Sequence, residues 1–496
     1  MDVLFGGMPR IGHGVGPLLA AALWPAIGAV AALAPALAMR GFTVDDALIA
    51  VRYARHLAMG LGWCFNAHGP STDGVTPLPW PVVLMPFARA GALVVLQRAQ
   101  ALGMVVWVAT GASLGGAVAR VPRAPRWAKL AVFVALALSV PVAAYAASGM
   151  ETPFATGLAT LAALAYRRPR LAAIIAGLAA AFRPEMAPWA CVLSVALAIA
   201  SRRSAARVLL CGAIALVPFT SCALVRALVW GHPAPLALMA KPGDVGQGVV
   251  YAAVACIVTL IPVLVVAPVA LIRSPVALAI VVASIAHVGA VVLVGGDWMP
   301  FARLMVPVVP TLAWAAVLVS GHAHPVSTAL RSLAAVGLGL VLLLVSARVV
   351  EDGRDVMADR TALIVSARPA LAGFSRVAGL DIGWLGAATE ADVVDLAGLT
   401  DPEIAALPGG HTSKHVDAMF LLSRRPDALV LYAPRGLPGG DLAAFGLADY
   451  PRAVEARLAH DDVIAAHFAP IAWFPLGARG AGYVLLRADE TGSIGR

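Results

Sequence analysis

The sequence predicts an all-α polytopic membrane bundle over residues 1–350, followed by a C-terminal extracytoplasmic α/β domain over residues 351–496. Three observations predict it. The 496-residue chain is 60% hydrophobic and 13% charged, with a mean hydropathy of +0.86, which leaves too little polar surface to wrap a water-soluble globule of this size. Apolar runs succeed one another from residue 16 to residue 348 with short gaps between them. The 27 acidic residues are unevenly placed: eight lie in residues 1–350 and 19 in residues 351–496, so the two parts carry formal charges of +15 and −6.

The first apolar run, Gly16 to Ala38, follows Arg10 and covers about 23 residues, longer than a signal-peptide core and long enough to span a bilayer. It reads as a retained first transmembrane helix. After a polar stretch, further apolar runs fall near residues 76–97, 99–119, 129–147, 152–166, 170–182, 187–200, 206–229, 249–272, 275–294, 303–320 and 330–348. Those shorter than a full span are expected to be tilted, broken or paired within the bundle. The gaps Arg120 to Lys129, Arg167 to Arg170, Arg202 to Arg207, Arg273 and Arg331 are basic and read as cytoplasmic by the positive-inside rule. Basic residues confined to such gaps do not form one face that tracks phosphates, so nucleic acid is excluded as a partner. A chain that starts inside and ends outside needs an odd number of spans. The expectation is 11 to 13, with one boundary between residues 76 and 119 misplaced. In the tail, Asp352 to Arg368 reads as helix and Asp427 to Tyr432 and Gly482 to Arg487 as strands. Five scattered cysteines show no metal-ligand spacing, so neither a zinc site nor a disulfide framework is expected.

The gaps opposite the basic ones carry the chemistry. In the first outer loop, residues 39–75, the stretch from Asp45 to Ala58 places Leu48, Val51, Tyr53 and Leu57 on one broad helical face and Arg52, Arg55 and His56 on another. Such a helix is expected to lie flat at the membrane surface with Asp45 and Asp46 at the depth of lipid phosphates. The plainer reading is a capping box from Thr43 to Asp46, with both acids favoured by the helix dipole. Asp73 and Thr76 open the next run, and Glu151 opens a later one, where an ionisable group costs far less than at mid-span. Arg183-Pro-Glu185 joins two short runs and can also be a turn closed by its own ion pair. In Gly295-Gly-Asp-Trp-Met-Pro-Phe-Ala-Arg303, an acid and an arginine beside Trp298 suit an anionic headgroup, because arginine offers a planar fork of donors to phosphate. The alternative is an interfacial anchor in the aromatic belt. Lys241 and His232, in the long outer loop from His232 to Gln247, can add charge to the same site or be solvated loop residues.

Taken in order, the pieces DDALIAVRYARHLAMGLGWCFN, DGVTPLPW, SGMET, FRPE, GGDWMPFARLMVPVVP, DLAGLTDPEIA and GHTSKH cover the chain from end to end. The set resembles the GT-C superfamily of integral-membrane glycosyltransferases that use polyprenyl-phosphate sugars, and is most similar to the mycobacterial terminal β-(1→2)-arabinofuranosyltransferase family. The resemblance implies a catalytic aspartate in the first outer loop, at Asp45 or Asp46, a lipid-phosphate donor entering from the bilayer, and an outer domain that helps hold the acceptor. His411 and Lys414 of GHTSKH are the tail residues that such a role would use. The chain departs from the family pattern at Val75-Thr76, where a Tyr-Thr pair is usual.

The expected function is transfer of a pentose, arabinofuranose, from a polyprenyl-phosphate donor to an extracytoplasmic glycan, lipid or protein acceptor at the bacterial inner membrane. Asp45 or Asp46 is the expected base for the acceptor hydroxyl, and Arg303, Lys241, Arg52 and Arg183 are expected to face the donor phosphate. Asp73, Thr76, Glu151, Glu185, His232, Asp297, Trp298, His411 and Lys414 are expected to contact substrate. A divalent cation (Mg, Mn or Ca) held by Asp45 and Asp46 is compatible with their hard oxygens. The alternatives are a hexosyl or mannosyl transferase of the same fold, and a transporter or flippase of lipid-linked sugar. A transporter usually holds ionisable groups near mid-membrane, whereas the acids here gather at one rim.

Overall fold

Helices of alanine, leucine and valine satisfy their own backbone and leave apolar side chains facing outward, which is what a bilayer tolerates. In the computed structural model, which describes residues 15–241, 243–260, 268–434, 450–478 and 480–488, five helices are long and apolar enough to cross a membrane: Ala92–Ala119, Ala205–Trp230, Pro275–Leu293, Arg303–Ser320 and Pro325–Val345. Arg126–Ala137 and Val140–Ala147 form a sixth if taken as one span, bent by 58° where Pro141 interrupts the ladder. Shorter apolar helices, Thr152–Leu164, Pro169–Phe182, Pro184–Ala200 and Val245–Leu260, pack among them. Leu209, Leu228, Leu333 and Leu344 stand more than 70% exposed on these helices, which marks the chain as membrane-associated.

The misplaced boundary lies where the odd-span argument put it. Residues 76–97 are not a span: Pro79–Leu84 and a short 3₁₀ turn end at Phe87, and one continuous helix then runs from Ala92 to Ala119. Val15–Ala38 lies against that helix because small residues let the backbones meet. A Cβ on Gly28 would strike the Gly111 carbonyl, and one on Gly115 would strike that of Trp24. The Arg10 segment ahead of Val15 and the middle of the 249–272 run lie outside the described residues.

The C-terminal domain is a five-stranded sheet of order β2-β1-β3-β5-β4, with β1 Arg376–Gly379, β2 Asp392–Asp395, β3 Ala428–Ala433, β4 Phe468–Pro475 and β5 Gly482–Ala488. β1 pairs parallel with β2 and β3, and β5 pairs antiparallel with β3 and β4. The helix expected near residues 352–368 is Ala347–Leu371. The period of two along each strand divides the sheet between two cores. Val377, Val393, Val430 and Leu485 join the core of the bundle, while Ala378, Val394, Leu429, Leu431 and Leu486 face the domain's own helices.

Between bundle and sheet lies the Asp45–Ala58 helix, with the expected bounds but not the expected surroundings. Ten of its 14 residues are buried, so it does not lie flat on lipid. It is sandwiched under the Ile382–Ala388 helix and against Pro79–Leu84 and Ala92–Ala119. Arg52 is corrected in consequence. Its guanidinium donates to the carbonyls of Phe65 (2.7 Å), Gly386 (2.7 Å), Thr389 (3.0 Å) and Ala391 (2.9 Å), which occupies four of its five N–H groups and leaves no fork of donors for a phosphate. Asn66 adds a two-way bond to the Val393 backbone at 2.9 and 2.8 Å. Arg52→Leu strands three buried carbonyls and one half-buried carbonyl and is expected to destabilise the protein by on the order of 3 kcal/mol, read as a lower melting temperature in detergent and faster proteolysis of the C-terminal domain.

Candidate functional site

Two adjacent aspartates at the start of one helix have different fates. Thr43 does not cap this helix: Val44 occupies the N-cap position without a side-chain bond, and Thr43 Oγ1 instead donates to the Ser148 carbonyl at 2.9 Å. The Asp45 carboxylate accepts from the backbone N–H of Gly383 (2.7 Å) and Trp384 (2.9 Å), at the first turn of the helix above it. Arg360 approaches to 3.7 Å. Gly383 is required there, because a Cβ would strike the Asp45 backbone carbonyl. Burial pushes the Asp45 carboxyl up to about 6 against the pull of Arg360. Asp45 is thus a docking group, a correction to its expected place as the first candidate base. Asp46 makes no hydrogen bond or ion pair among the described residues and borders two cavities. Burial raises its pKa above 3.8, while Lys241 and Arg303 pull it down.

The first cavity, of about 170 Å³, lies on the bundle side. Asp46, Glu151, Arg183, Glu185, Lys241, Asp297 and Arg303 supply its charge, and Pro235, Leu238, Val294 and Leu304 line it with apolar surface. Pairing uses up most of that charge. Arg183 bridges Glu151 (2.8 Å) and Glu185 (2.6 Å), so the turn does close on its own ion pair and also reaches across to the Glu151 helix. Arg303 pairs with Asp297 at 2.8 Å. It is brought there by a tight backbone turn in which Phe301 and Ala302 take φ values of +60° and +47°, a conformation that costs side chains energy. Asp46 and Lys241 are left without ion-pair partners in this cavity.

The second cavity, also about 170 Å³, lies between the helix start and the sheet. Asp45, Asp46, Lys241, Trp298, Asp381, His411 and Arg452 border it. Arg452 donates to Asp381 at 2.8 Å, which with Arg360 holds that carboxyl below the usual range despite burial. The rings of Trp298 and His411 lie 6.1 Å apart. Burial, with Lys241 nearby, pushes His411 down to about 4, so it is neutral at pH 7. Asp46 and Lys241 border both cavities, and so stand at their junction.

Of the remaining candidates, Thr76 borders the bundle-side cavity, and its carbonyl accepts from Arg226. Asp73 is corrected: it is buried in an ion pair with Arg226 Nε at 2.7 Å, which fastens the loop rather than meeting substrate. His232 is corrected as well, since its Nδ1 donates to the Ala234 carbonyl (2.7 Å) and it borders neither cavity. Lys414 is 2% exposed and gives its ammonium to the carbonyls of Ala405 (2.7 Å) and Leu407 (2.8 Å). Each Asp45 oxygen accepts one backbone hydrogen, which competes with the cation expected between Asp45 and Asp46 for one of the two lone pairs on that oxygen. Among the described residues no group of three His, Cys, Asp or Glu side chains could hold a metal. Sequence reading passed over Arg226, although a lone arginine late in an apolar helix signals a buried partner. Asp381 and Arg452 carry no such signal; only the fold brings them together.

Residues 364–485, the C-terminal domain from its long helix to β5, match a family described as a domain of unknown function (DUF8728). Among curated proteins and solved structures, nothing matches the chain.

Two measurements check these assignments. Arg226→Leu leaves the Asp73 carboxylate buried and unpaired, so a loss of about 3 to 5 kcal/mol is expected in an unfolding titration. Asp45→Asn presents an amide where two N–H groups need an acceptor, and should destabilise by about 1 to 3 kcal/mol. Asp46→Asn should not. A group whose folded pKa is raised above 3.8 weakens the fold as pH rises through that raised value. The wild type is therefore expected to lose stability relative to Asp46→Asn as pH is raised above 4, as read by melting temperature against pH.

Proposed function

We propose that the protein is a GT-C-type glycosyltransferase that moves a sugar, by the family likeness arabinofuranose, from a polyprenyl-phosphate donor to an acceptor hydroxyl. The observation that carries this reading is the position of Asp46, an unpaired carboxylate where a bundle-side cavity that combines charged groups with apolar wall meets a sheet-side cavity bordered by Asp381, His411 and Arg452 of the C-terminal domain. A transfer between a lipid-borne donor and a polar acceptor needs two such compartments meeting at one base. The bundle-side cavity suits the donor, with Lys241 and Arg303 toward its phosphate and Leu238, Val294 and Leu304 toward the first isoprene units. The sheet-side cavity suits the acceptor, with Asp381 and Arg452 for hydroxyls and the Trp298 and His411 rings for a sugar face.

In this reading the acceptor hydroxyl gives its proton to Asp46 as its oxygen bonds to the anomeric carbon. The bond from that carbon to the phosphate oxygen breaks, and polyprenyl phosphate leaves with the electron pair. A positioned general base is typically worth about 10² to 10⁴ in rate, and burial helps this one because a raised pKa increases its affinity for the proton in the transition state. Lys241 and Arg303 offset charge on the departing phosphate. The base works ionised, so the acid limb of kcat/KM falls above the ordinary carboxylate value of 3.8.

Counting each shorter apolar helix and the bent pair as one crossing, together with Val15–Ala38, gives 11 passes. An odd number separates the ends, and with the positive gaps on the cytoplasmic side this reading takes the C-terminal domain and both cavities to lie outside the cytoplasm, at the inner membrane of a bacterium. A flippase is the second reading, and the closed ion pairs of Arg183 with Glu151 and Arg303 with Asp297 in the cavity wall speak against it, since charges already closed on one another are not free to pass along a moving headgroup.

The test is transfer of radiolabelled sugar from a panel of polyprenyl-phosphate donors by protein reconstituted in liposomes. Asp46→Asn should lower kcat by at least 10² with donor KM little changed, and Lys241→Met should raise donor KM. Full activity in Asp46→Asn removes it as the base.

A further inference from the structure

The Pro169–Phe182 helix has the Arg183 end at the cavity just described, and its other end, about 21 Å away along the axis, at a depression of about 420 Å³. Arg167, Arg168, Arg170, Arg203 and Arg207 line that depression over a floor at Cys211, which is 2% exposed. No carboxylate lines it, and none of the five arginines forms an ion pair among the described residues. Two long helices, Pro169–Phe182 and Ala205–Trp230, also begin there. Neither has an acid in its first turn or a side-chain cap, so their free backbone N–H groups add to the positive field. Five guanidinium groups gathered in one concavity repel one another unless an anion sits among them, and planar donors match phosphate oxygens.

We propose that this depression binds the phosphate headgroup of an anionic lipid. Leu171, Ile174 and Leu178, at i, i+3 and i+7 of the first helix, run away from it along one face and are each more than 40% exposed; Leu210 does the same on the second helix. An apolar track leading from an anion site suits acyl chains, which a soluble phosphate lacks. The inference is independent of the transfer reaction.

The test uses the full-length protein in a zwitterionic detergent, with bound lipid counted by native mass spectrometry after exposure to phosphatidylglycerol or phosphatidylcholine. Wild type should retain phosphatidylglycerol selectively. The triple variant Arg168→Lys, Arg203→Lys, Arg207→Lys keeps the rim charge that sets topology but removes the forked donors, and should bind at least tenfold more weakly. Arg120→Lys, Arg123→Lys, Arg126→Lys, in another basic gap, should bind as wild type. Equal loss in both triples, or no loss in the first, would reduce the site to unspecific rim charge and overturn the proposal. Displacement of the lipid by an equal concentration of pyrophosphate would instead make the ligand a soluble phosphate, also against it. If the first triple does not fold, the wild type decides: no preference for phosphatidylglycerol over phosphatidylcholine defeats the inference.

Discussion

One short helix, buried on nearly all sides, is the constraint on which the rest depends. The Asp45–Ala58 helix is held from above by Asp45 and Arg52, which between them satisfy two backbone N–H groups and four carbonyls. Those groups would otherwise be costly orphans at the seam between bundle and sheet. The alternating strand residues then press one face of the sheet into the core of the bundle, so the domain is a fixed roof rather than a tethered appendage. Only because that roof is fixed do Asp381, His411 and Arg452 share a cavity with residues more than 100 positions earlier in the chain.

The charges of the site follow from the same confinement. Buried ions need partners, and at the rim Glu151, Glu185 and Asp297 take Arg183 and Arg303. These pairs build the walls of the cavity. Asp46 and Lys241 bring opposite charge without a partner of their own in those walls, which is the state expected of groups that await an incoming ligand.

The hydrophobic pattern made the helices readable because lipid-facing residues have to be apolar whatever their packing. It failed at residues 76–97, where Pro79, Pro81 and Pro86 break an apolar run that composition alone cannot tell from a span. The bounds of the Asp45–Ala58 helix were legible from its period, yet its environment was not. Amphipathicity states that one face meets apolar atoms without saying whether these belong to lipid or protein, and Arg52 on the polar face found carbonyls rather than water. The motif loops pointed to one rim, and Asp46, Glu151, Arg183, Lys241, Asp297 and Arg303 do share one cavity. Asp73, His232 and Lys414 carry the same residue chemistry, but their partners, Arg226 and nearby backbone carbonyls, consume it. Long-range pairing of this kind leaves no local trace in a single sequence.

The central claim is that donor and acceptor meet across Asp46 from two separate compartments. Photocrosslinking with a diazirine-bearing polyprenyl phosphate, followed by peptide mapping, tests it most directly. The account predicts labels on the residues around Leu238, Val294 and Leu304 and competition by unmodified polyprenyl phosphate. Labels confined to the lipid-facing helix surfaces, or concentrated around Asp381 and His411, would contradict it.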